Sequence, residues 1–174
     1  MPTSEVHLRP FALDDLELLG RFAGDPTFVG PFQWHGHRSF NDLRRRWEDD
    51  EFLTRDPHYL VVAIDNDVAV GWTMWRDPQL FGHPGSAWEI GLIIAPDQRG
   101  RGLGSAAHTC VVHYLFESTA VHRLIAHTDV DNLAERRCLD RSGFRCDGIL
   151  RQAAFRDGRW RDVATYSLPR DEVT

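Results

Sequence analysis

The alternation of apolar and polar positions along the chain predicts seven β-strands. From Glu5 to Phe11 apolar residues alternate with charged ones, which is the period-two pattern of a half-buried strand. Six later segments are rich in β-branched and aromatic residues, as strands are: Tyr59–Ile64, Val68–Trp75, Trp88–Ala95, Arg123–Asp129, Phe144–Arg156 and Arg159–Leu168. Turn residues join the first two of these segments and the last two, so we expect a hairpin at each place.

The remaining periodic segments predict four helices. Apolar residues at helical spacing follow Asp14, a suitable N-cap, and the segment ends at Asp25-Pro26. A second helix is expected from Ser39, and others over Ser105–Phe116 and Asn132–Ser142. The stretch from Thr27 to His37 reads as a structured loop. The element order β α α β β β α β α β β, without repeats or linkers, predicts one mixed α/β domain over residues 1–174.

Composition removes several classes of function. All 20 basic residues are Arg, and the sequence contains no Lys. Walker-type phosphate loops, Schiff-base or pyridoxal enzymes and protein kinases all need a Lys, so these classes are excluded. The formal charge of −6 argues against a general nucleic-acid binder, because phosphate neutralisation needs a basic surface.

Cysteine usage and the chain start predict a cytoplasmic protein. The three cysteines are odd in number and show no C-x-x-C spacing, which disfavours a disulfide framework or a structural zinc site. No signal-peptide pattern opens the sequence, and no apolar run approaches the ~20 residues of a membrane span. We therefore expect no membrane association.

A glycine loop lies between a predicted strand and a predicted helix. Its sequence is Arg99-Gly100-Arg101-Gly102-Leu103-Gly104. Glycines at a helix start let an anion approach the unpaired backbone amides, but they also serve as a plain tight turn. The dinucleotide fingerprint G-x-G-x-x-G fails, because Ser105 stands at the third glycine position. From these residues alone, a phosphate site and a simple turn both stay open.

This loop resembles the R/Q-x-x-G-x-G/A signature of the GNAT superfamily of N-acetyltransferases. Downstream, a segment that opens with Asn132 and ends in Gly143-Phe144 is similar to the second cofactor motif of the family. The closing hairpin resembles the branch of ribosomal-protein-alanine acetyltransferases. The resemblance implies one acetyltransferase domain with a six- to seven-stranded mixed sheet, splayed central parallel strands and about four helices.

The resemblance also implies acetyl-CoA as cosubstrate. Its pyrophosphate would rest on the glycine turn, formed by Arg99, Gly100, Arg101, Gly102, Leu103, Gly104 and Ser105. The pantetheine arm would run between the strands Trp88–Ala95 and Arg123–Asp129. Asn132 would hold the arm near its thioester end, a role compatible with that of a helix N-cap. A backbone N–H of Ile93 or Ile94 would meet the oxyanion.

Glu89 is our candidate general base. It is the sole carboxylate in an otherwise apolar strand, and its spacing to the glycine loop matches a catalytic glutamate of the histone-acetyltransferase branch. The alternative is a polar network that binds substrate without moving a proton. The Tyr that often serves as general acid is replaced by Leu139, and Glu135 replaces a Ser common in the resembled branch. We therefore assign no general acid.

The acceptor amine is expected near the N-terminal helices and their loop. Trp34, His35, Trp75 and Trp88 are candidate substrate contacts, although aromatic residues on strands more often belong to the core. His35 and His37 lack a third ligand at readable spacing, so no metal site is predicted. The acceptor is a protein N-terminus, an amino acid or a small-molecule amine, and a homodimer is allowed for. The alternative function is a non-catalytic acyl-CoA-binding protein on the same fold.

Overall fold

One mixed sheet of seven strands organises the chain, as the sequence predicts. The computed structural model describes residues 5–34, 36–79 and 85–173. The strands are β1 (His7–Arg9), β2 (His58–Ile64), β3 (Val68–Arg76), β4 (Ala87–Ile94), β5 (Arg123–Asp129), β6 (Arg145–Arg156) and β7 (Arg159–Pro169). Their order in the sheet is β1-β2-β3-β4-β5-β7-β6. Both predicted hairpins, β2–β3 and β6–β7, are present.

In the described ranges five α-helices flank the sheet, one more than the sequence predicts. They are α1 (Leu16–Gly24), α2 (Pro26–Val29), α3 (Phe40–Asp50), α4 (Leu103–Ser118) and α5 (Leu133–Arg141). The extra helix, α2, lies in the stretch that we expected to be a loop. It forms because the Asp25 carboxylate accepts hydrogen bonds from the amides of Thr27 and Phe28, and because Pro26 occupies the first turn.

The parallel pair β4–β5 is where the sheet opens. Pairing covers only Ala87–Ile90 of β4 and Arg123–Ala126 of β5. Beyond Ile90 and Ala126 the two strands part, although both continue for three or more residues. The expected splay of the central strands is therefore present, and it leaves one edge of β4 without a strand partner.

The two faces of the sheet carry different helices and different core clusters. On one face α4 packs on Trp75, Ile90 and Leu124, and the buried Leu139 of α5 joins this cluster. On the opposite face α1, α2 and neighbouring segments pack on Trp72 and Ile93. We call these the α4 face and the α1 face. Within the described residues no helix is long and apolar enough to cross a membrane.

Candidate active site

The glycine loop presents open backbone amides at the start of α4. Gly100 and Gly102 have φ angles of +76° and +82°, which glycine adopts without steric cost. Gly102 is the N-cap and offers no side chain, and its carbonyl accepts the first helical bond from the Ala106 amide at 3.2 Å. The amides before Ala106 are thus the unpaired first-turn donors of a 16-residue helix. This arrangement suits an anion.

A cavity of about 540 Å³ lies in front of these amides. Its walls are the glycine loop, the end of β4, one side of α5 along its length and the loop after α2. Among the predicted cofactor residues, the following line it: Ile93, Ile94, Arg99, Gly100, Gly102, Leu103, Gly104, Ser105 and Asn132. The structure therefore brings nine of these predicted residues together at one site.

The two arginines of the loop differ in their surroundings. Arg99 donates from Nε to the Ile94 carbonyl at 2.9 Å and from a terminal nitrogen to the Phe28 carbonyl at 2.8 Å. These bonds tie α2 to the end of β4, and burial lowers the pKa of the Arg99 guanidinium. Arg101 is absent from the cavity lining and instead donates to the side chain of Gln98. Arg99 thus acts as a wall of the cavity.

Two cationic residues that the sequence analysis missed also line the cavity. Arg137 and Arg141 are four residues apart on α5, so they project from the same side of the helix. Both are exposed, and their side chains make no hydrogen bond or ion pair to another described residue. They supply positive charge opposite the glycine loop, where phosphate groups would need it. Their spacing of four residues was the signal available in the sequence, but charged residues on a solvent-exposed helix face have the same spacing.

The open edge of β4 offers backbone groups to a ligand. Backbone groups of a strand point alternately to its two neighbours, and the Ala95 amide donates to the Val70 carbonyl of β3 at 2.8 Å. By that alternation Ile93 also points to β3, whereas Leu92 and Ile94 point to the gap. Of the two predicted oxyanion donors, the geometry favours the Ile94 amide. Leu92 is a further donor that the sequence analysis missed.

Asn132 caps α5 beside the cavity. Its Oδ1 accepts a hydrogen bond from the Glu135 amide at 3.3 Å, and its Nδ2 donates to Thr128 Oγ1 at 3.1 Å. Both ends of the amide therefore stabilise the junction of β5 and α5. The residue lines the cavity as well, so the two roles considered for it are compatible.

A buried histidine supports the wall of the cavity near α5. His108 is 1% exposed, and its Nε2 lies 2.8 Å from the Oε1 of Glu135, which lines the cavity. The Nδ1 of His108 and the Oγ of Ser105 are buried without a hydrogen-bond partner in the described part of the chain. Polar atoms of this kind usually have partners, so their lack of one here fits a site that receives a polar ligand or water.

Glu89 lies on the α1 face, outside the cavity lining. Its two carboxylate oxygens accept hydrogen bonds from the guanidinium of Arg76, at 3.0 and 2.9 Å, and its side chain is 18% exposed. Arg76 stands opposite Glu89 in the β3–β4 pairing. Both oxygens of this carboxylate are thus engaged by one guanidinium, which is the arrangement expected of the alternative, a polar network.

The predicted acceptor residues separate into two groups. Trp34 is partly buried on the α1 face, with its ring 5.2 Å from that of His37. Trp75 and Trp88 pack in the core on the α4 face, and we assign them to the core. His35 lies outside the described residues. Across the described ranges, no three side chains of metal-ligating type are grouped as a metal site would require.

Known proteins are similar to this chain over almost its whole length. The model of the acetyltransferase (GNAT) domain family matches residues 5–145. The probable N-acetyltransferase YjcK of Bacillus subtilis is 32% identical, over 96% of this chain and 96% of the relative. The phosphinothricin N-acetyltransferase of Streptomyces coelicolor is 28% identical, over 96% and 98% of the two chains.

Solved structures share the fold. Spermidine N-acetyltransferase from Vibrio cholerae, in complex with CoA and spermine, superposes with a TM-score of 0.84 and covers 97% of each chain at 19% identity.

Ribosomal-protein-serine acetyltransferase of Escherichia coli, compared by sequence, is 30% identical over only 45% of this chain and 44% of its own. The branch with ribosomal-protein substrates is thus matched over less than half of the chain.

Proposed function

This chain belongs to the GNAT acetyltransferase family, and from that premise we propose that it moves an acetyl group from acetyl-CoA to a primary amine by direct transfer. The observation that carries the proposal is the cavity at the parted ends of β4 and β5. It combines open helix amides, two arginines of α5 and an unpaired strand edge. These are the groups that a pyrophosphate followed by an amide-bearing arm would require.

The residues present fit the cosubstrate. The amides of Gly102, Leu103 and Gly104 would bind the pyrophosphate, assisted by Arg137 and Arg141. The open edge of β4 would pair with the amides of the pantetheine arm as an added strand does. Acetyl-CoA supplies a thioester whose carbonyl accepts the attack of the amine.

The chain would then assist three events. The Leu92 or Ile94 amide would donate to the carbonyl oxygen as negative charge develops there. A base would accept the proton of the attacking amine. The sulfur would leave with its electron pair and take a proton from water, because the position of the usual tyrosine is filled by Leu139, which is 0% exposed.

The acceptor class is proposed from the relatives. The names of the relatives describe acetyl transfer to phosphinothricin, to spermidine and to ribosomal-protein serine. The names of the first two specify N-acetyl transfer, and we keep peptide N-termini and small-molecule amines as candidates for this chain. Trp34 and the loop after α2 border the α1 face, where an acceptor would meet the parted strands.

We also propose a cytoplasmic homodimer. Cys110, Cys138 and Cys146 are free thiols, as a reducing compartment allows. β6 is the last strand of the sheet. Four large apolar side chains of the β6–β7 hairpin are between 52% and 60% exposed to solvent: Ile149, Leu150, Phe155 and Trp160. Exposed apolar side chains on an edge strand suit contact with a second copy. Sedimentation of the natural protein against a Trp160→Arg variant tests this, and a monomer in both cases would contradict it.

The experiment for the activity measures free thiol released from acetyl-CoA in the presence of single amines. Spermidine, phosphinothricin and a serine-initiated peptide form the panel, with each amine omitted in turn as control. Thiol release that depends on an amine supports the proposal. CoA binding without release for any amine would instead favour a non-catalytic acyl-CoA-binding protein.

A further inference from the structure

His127 lies where the two parallel strands part. The last paired residues are Ile90 and Ala126, so His127 is the first residue of β5 beyond the pairing. Its neighbour Ala126 is packed in the core on the α4 face, and successive side chains of a strand alternate. The imidazole of His127 therefore lies on the α1 face, where it is exposed. Like Glu89, His127 is not among the residues that line the cavity, but it stands where the gap between β4 and β5 begins, and the acetyl group at the end of a pantetheine arm in that gap would lie beside it.

The hydrogen bonding of the imidazole leaves one nitrogen free. Nδ1 lies 3.2 Å from the Oγ1 of Thr165, which stands opposite His127 in the β5–β7 pairing. No partner for Nε2 is found among the described residues. When Nδ1 carries the hydrogen and donates it to the threonine oxygen, Nε2 keeps a lone pair that can accept a proton. Thr165 would thus fix the tautomer that a base requires.

The charged groups around His127 on this face are already paired. Glu89, which pairs with the β5 residue two before His127, is held by Arg76. On β5 itself Arg123 bonds Asp147 of β6 at 3.1 Å, and the buried Asp129 lies 3.4 Å from a guanidinium nitrogen of Arg156. These ion pairs of β4 and β5 are formed without His127, whose imidazole has only a hydroxyl partner.

We propose that His127 is the catalytic base of the transfer, the role that the sequence pattern assigns to Glu89. Nε2 takes the proton from the amine nitrogen as the new N–C bond forms and the C–S bond breaks. The sulfur leaves with the electron pair of the broken bond and is protonated by water, and the imidazolium returns its proton to solvent. This assignment rests on the proposed acetyl transfer.

The test compares pH profiles of kcat/KM for the natural protein and for His127→Gln. The acceptor is the amine turned over fastest among spermidine, phosphinothricin and the serine-initiated peptide. We expect a loss of about a hundredfold or more, the contribution typical of a general base, and loss of the acidic limb of the profile. Thr165→Val should lower the rate less, and His113→Gln, an exposed histidine of α4, should leave it unchanged.

Two further measurements separate chemistry from structure. Added imidazole should restore part of the rate of His127→Ala, and CoA affinity should equal that of the natural protein in both His127 variants. An unchanged rate in His127→Gln, or a large loss in Glu89→Gln with none in His127→Gln, would overturn the assignment while leaving acetyl transfer intact. A natural protein that transfers to no amine would overturn the proposed function, and this assignment with it.

Discussion

The side-chain amide of Gln33 donates a hydrogen bond to the backbone carbonyl of Leu92, with 3.2 Å between nitrogen and oxygen. Leu92 lies on β4 beyond the last residue that pairs with β5. The loop after α2 therefore places a donor on the strand edge that the splay leaves open. This is also the edge to which a pantetheine arm would bind.

The Gln33 side chain and a pantetheine arm would compete for the Leu92 carbonyl. Removing the Gln33 side chain should therefore raise the affinity for CoA. Gln33→Ala should bind CoA about fivefold tighter, because a net hydrogen bond contributes about 1 kcal/mol. Calorimetric titration with CoA measures the change, and Gln152→Ala on exposed β6 is the control. Weaker binding by Gln33→Ala would show that Gln33 stays in place and contacts the ligand.

The glycine loop should reject a negative charge. Gly102→Asp puts a carboxylate beside the helix amides, so we expect CoA affinity to fall more than tenfold. The matched control is Gly158→Asp, because Gly158 has a φ of +73° in the β6–β7 turn, far along the chain from the cavity. Both variants carry a similar backbone strain of about 1 kcal/mol, so this strain alone cannot account for a difference in CoA affinity between them. Equal CoA affinities in the two would contradict a phosphate site at the loop.

Arg137 and Arg141 should contribute more to CoA binding than Arg101 does. Replacing either α5 arginine by Gln removes a cation that lines the cavity, and we expect affinity to fall about fivefold, with a weaker dependence on salt. Arg101→Gln should change affinity less than twofold, because Arg101 itself does not line the cavity and its guanidinium is bonded to the side chain of Gln98. Titrations at two salt concentrations measure both effects, and the reverse ranking would refute this placement of the phosphates.

The N-cap of α2 should make local stability depend on pH. Hydrogen bonds from the Thr27 hydroxyl and amide lower the pKa of the Asp25 carboxyl. The pKa of Asp25 is thus lower in the folded than in the unfolded state. The Asp25 carboxylate therefore stabilises the fold above the unfolded pKa, and this stabilisation is lost as pH falls through the folded pKa. The melting temperature of the natural protein should therefore exceed that of Asp25→Ala more at neutral than at strongly acidic pH. A difference that stays constant across the titration would contradict this linkage.

The strands and long helices could be predicted because their apolar spacing is regular over many residues. The helix α2 could not, because four residues carry no periodicity and the element depends on the cap at Asp25 and on Pro26. The sequence also does not tell which face of the sheet carries the site. Trp72 and Trp75 point to opposite faces, and only the packing of α1 and α4 shows which is which.

The glycine loop was recognisable because strand, glycines and helix follow one another directly in the chain. The other parts of the site depend on register between distant segments. Glu89 reads as an isolated carboxylate in the sequence, but the β3–β4 pairing places Arg76 opposite it. His127 gives no signal in the sequence, because its position at the splay follows from the point at which β4 and β5 stop pairing.

Acetyl-CoA labelled in its acetyl group shows directly whether the protein transfers acetyl to an amine. The natural protein is incubated with this compound and the amine panel, and the products are analysed by mass spectrometry. We expect the label on the nitrogen of an amine, with one free CoA formed for each labelled product. Free CoA without labelled amine, or no consumption of acetyl-CoA in the presence of any amine, would contradict it.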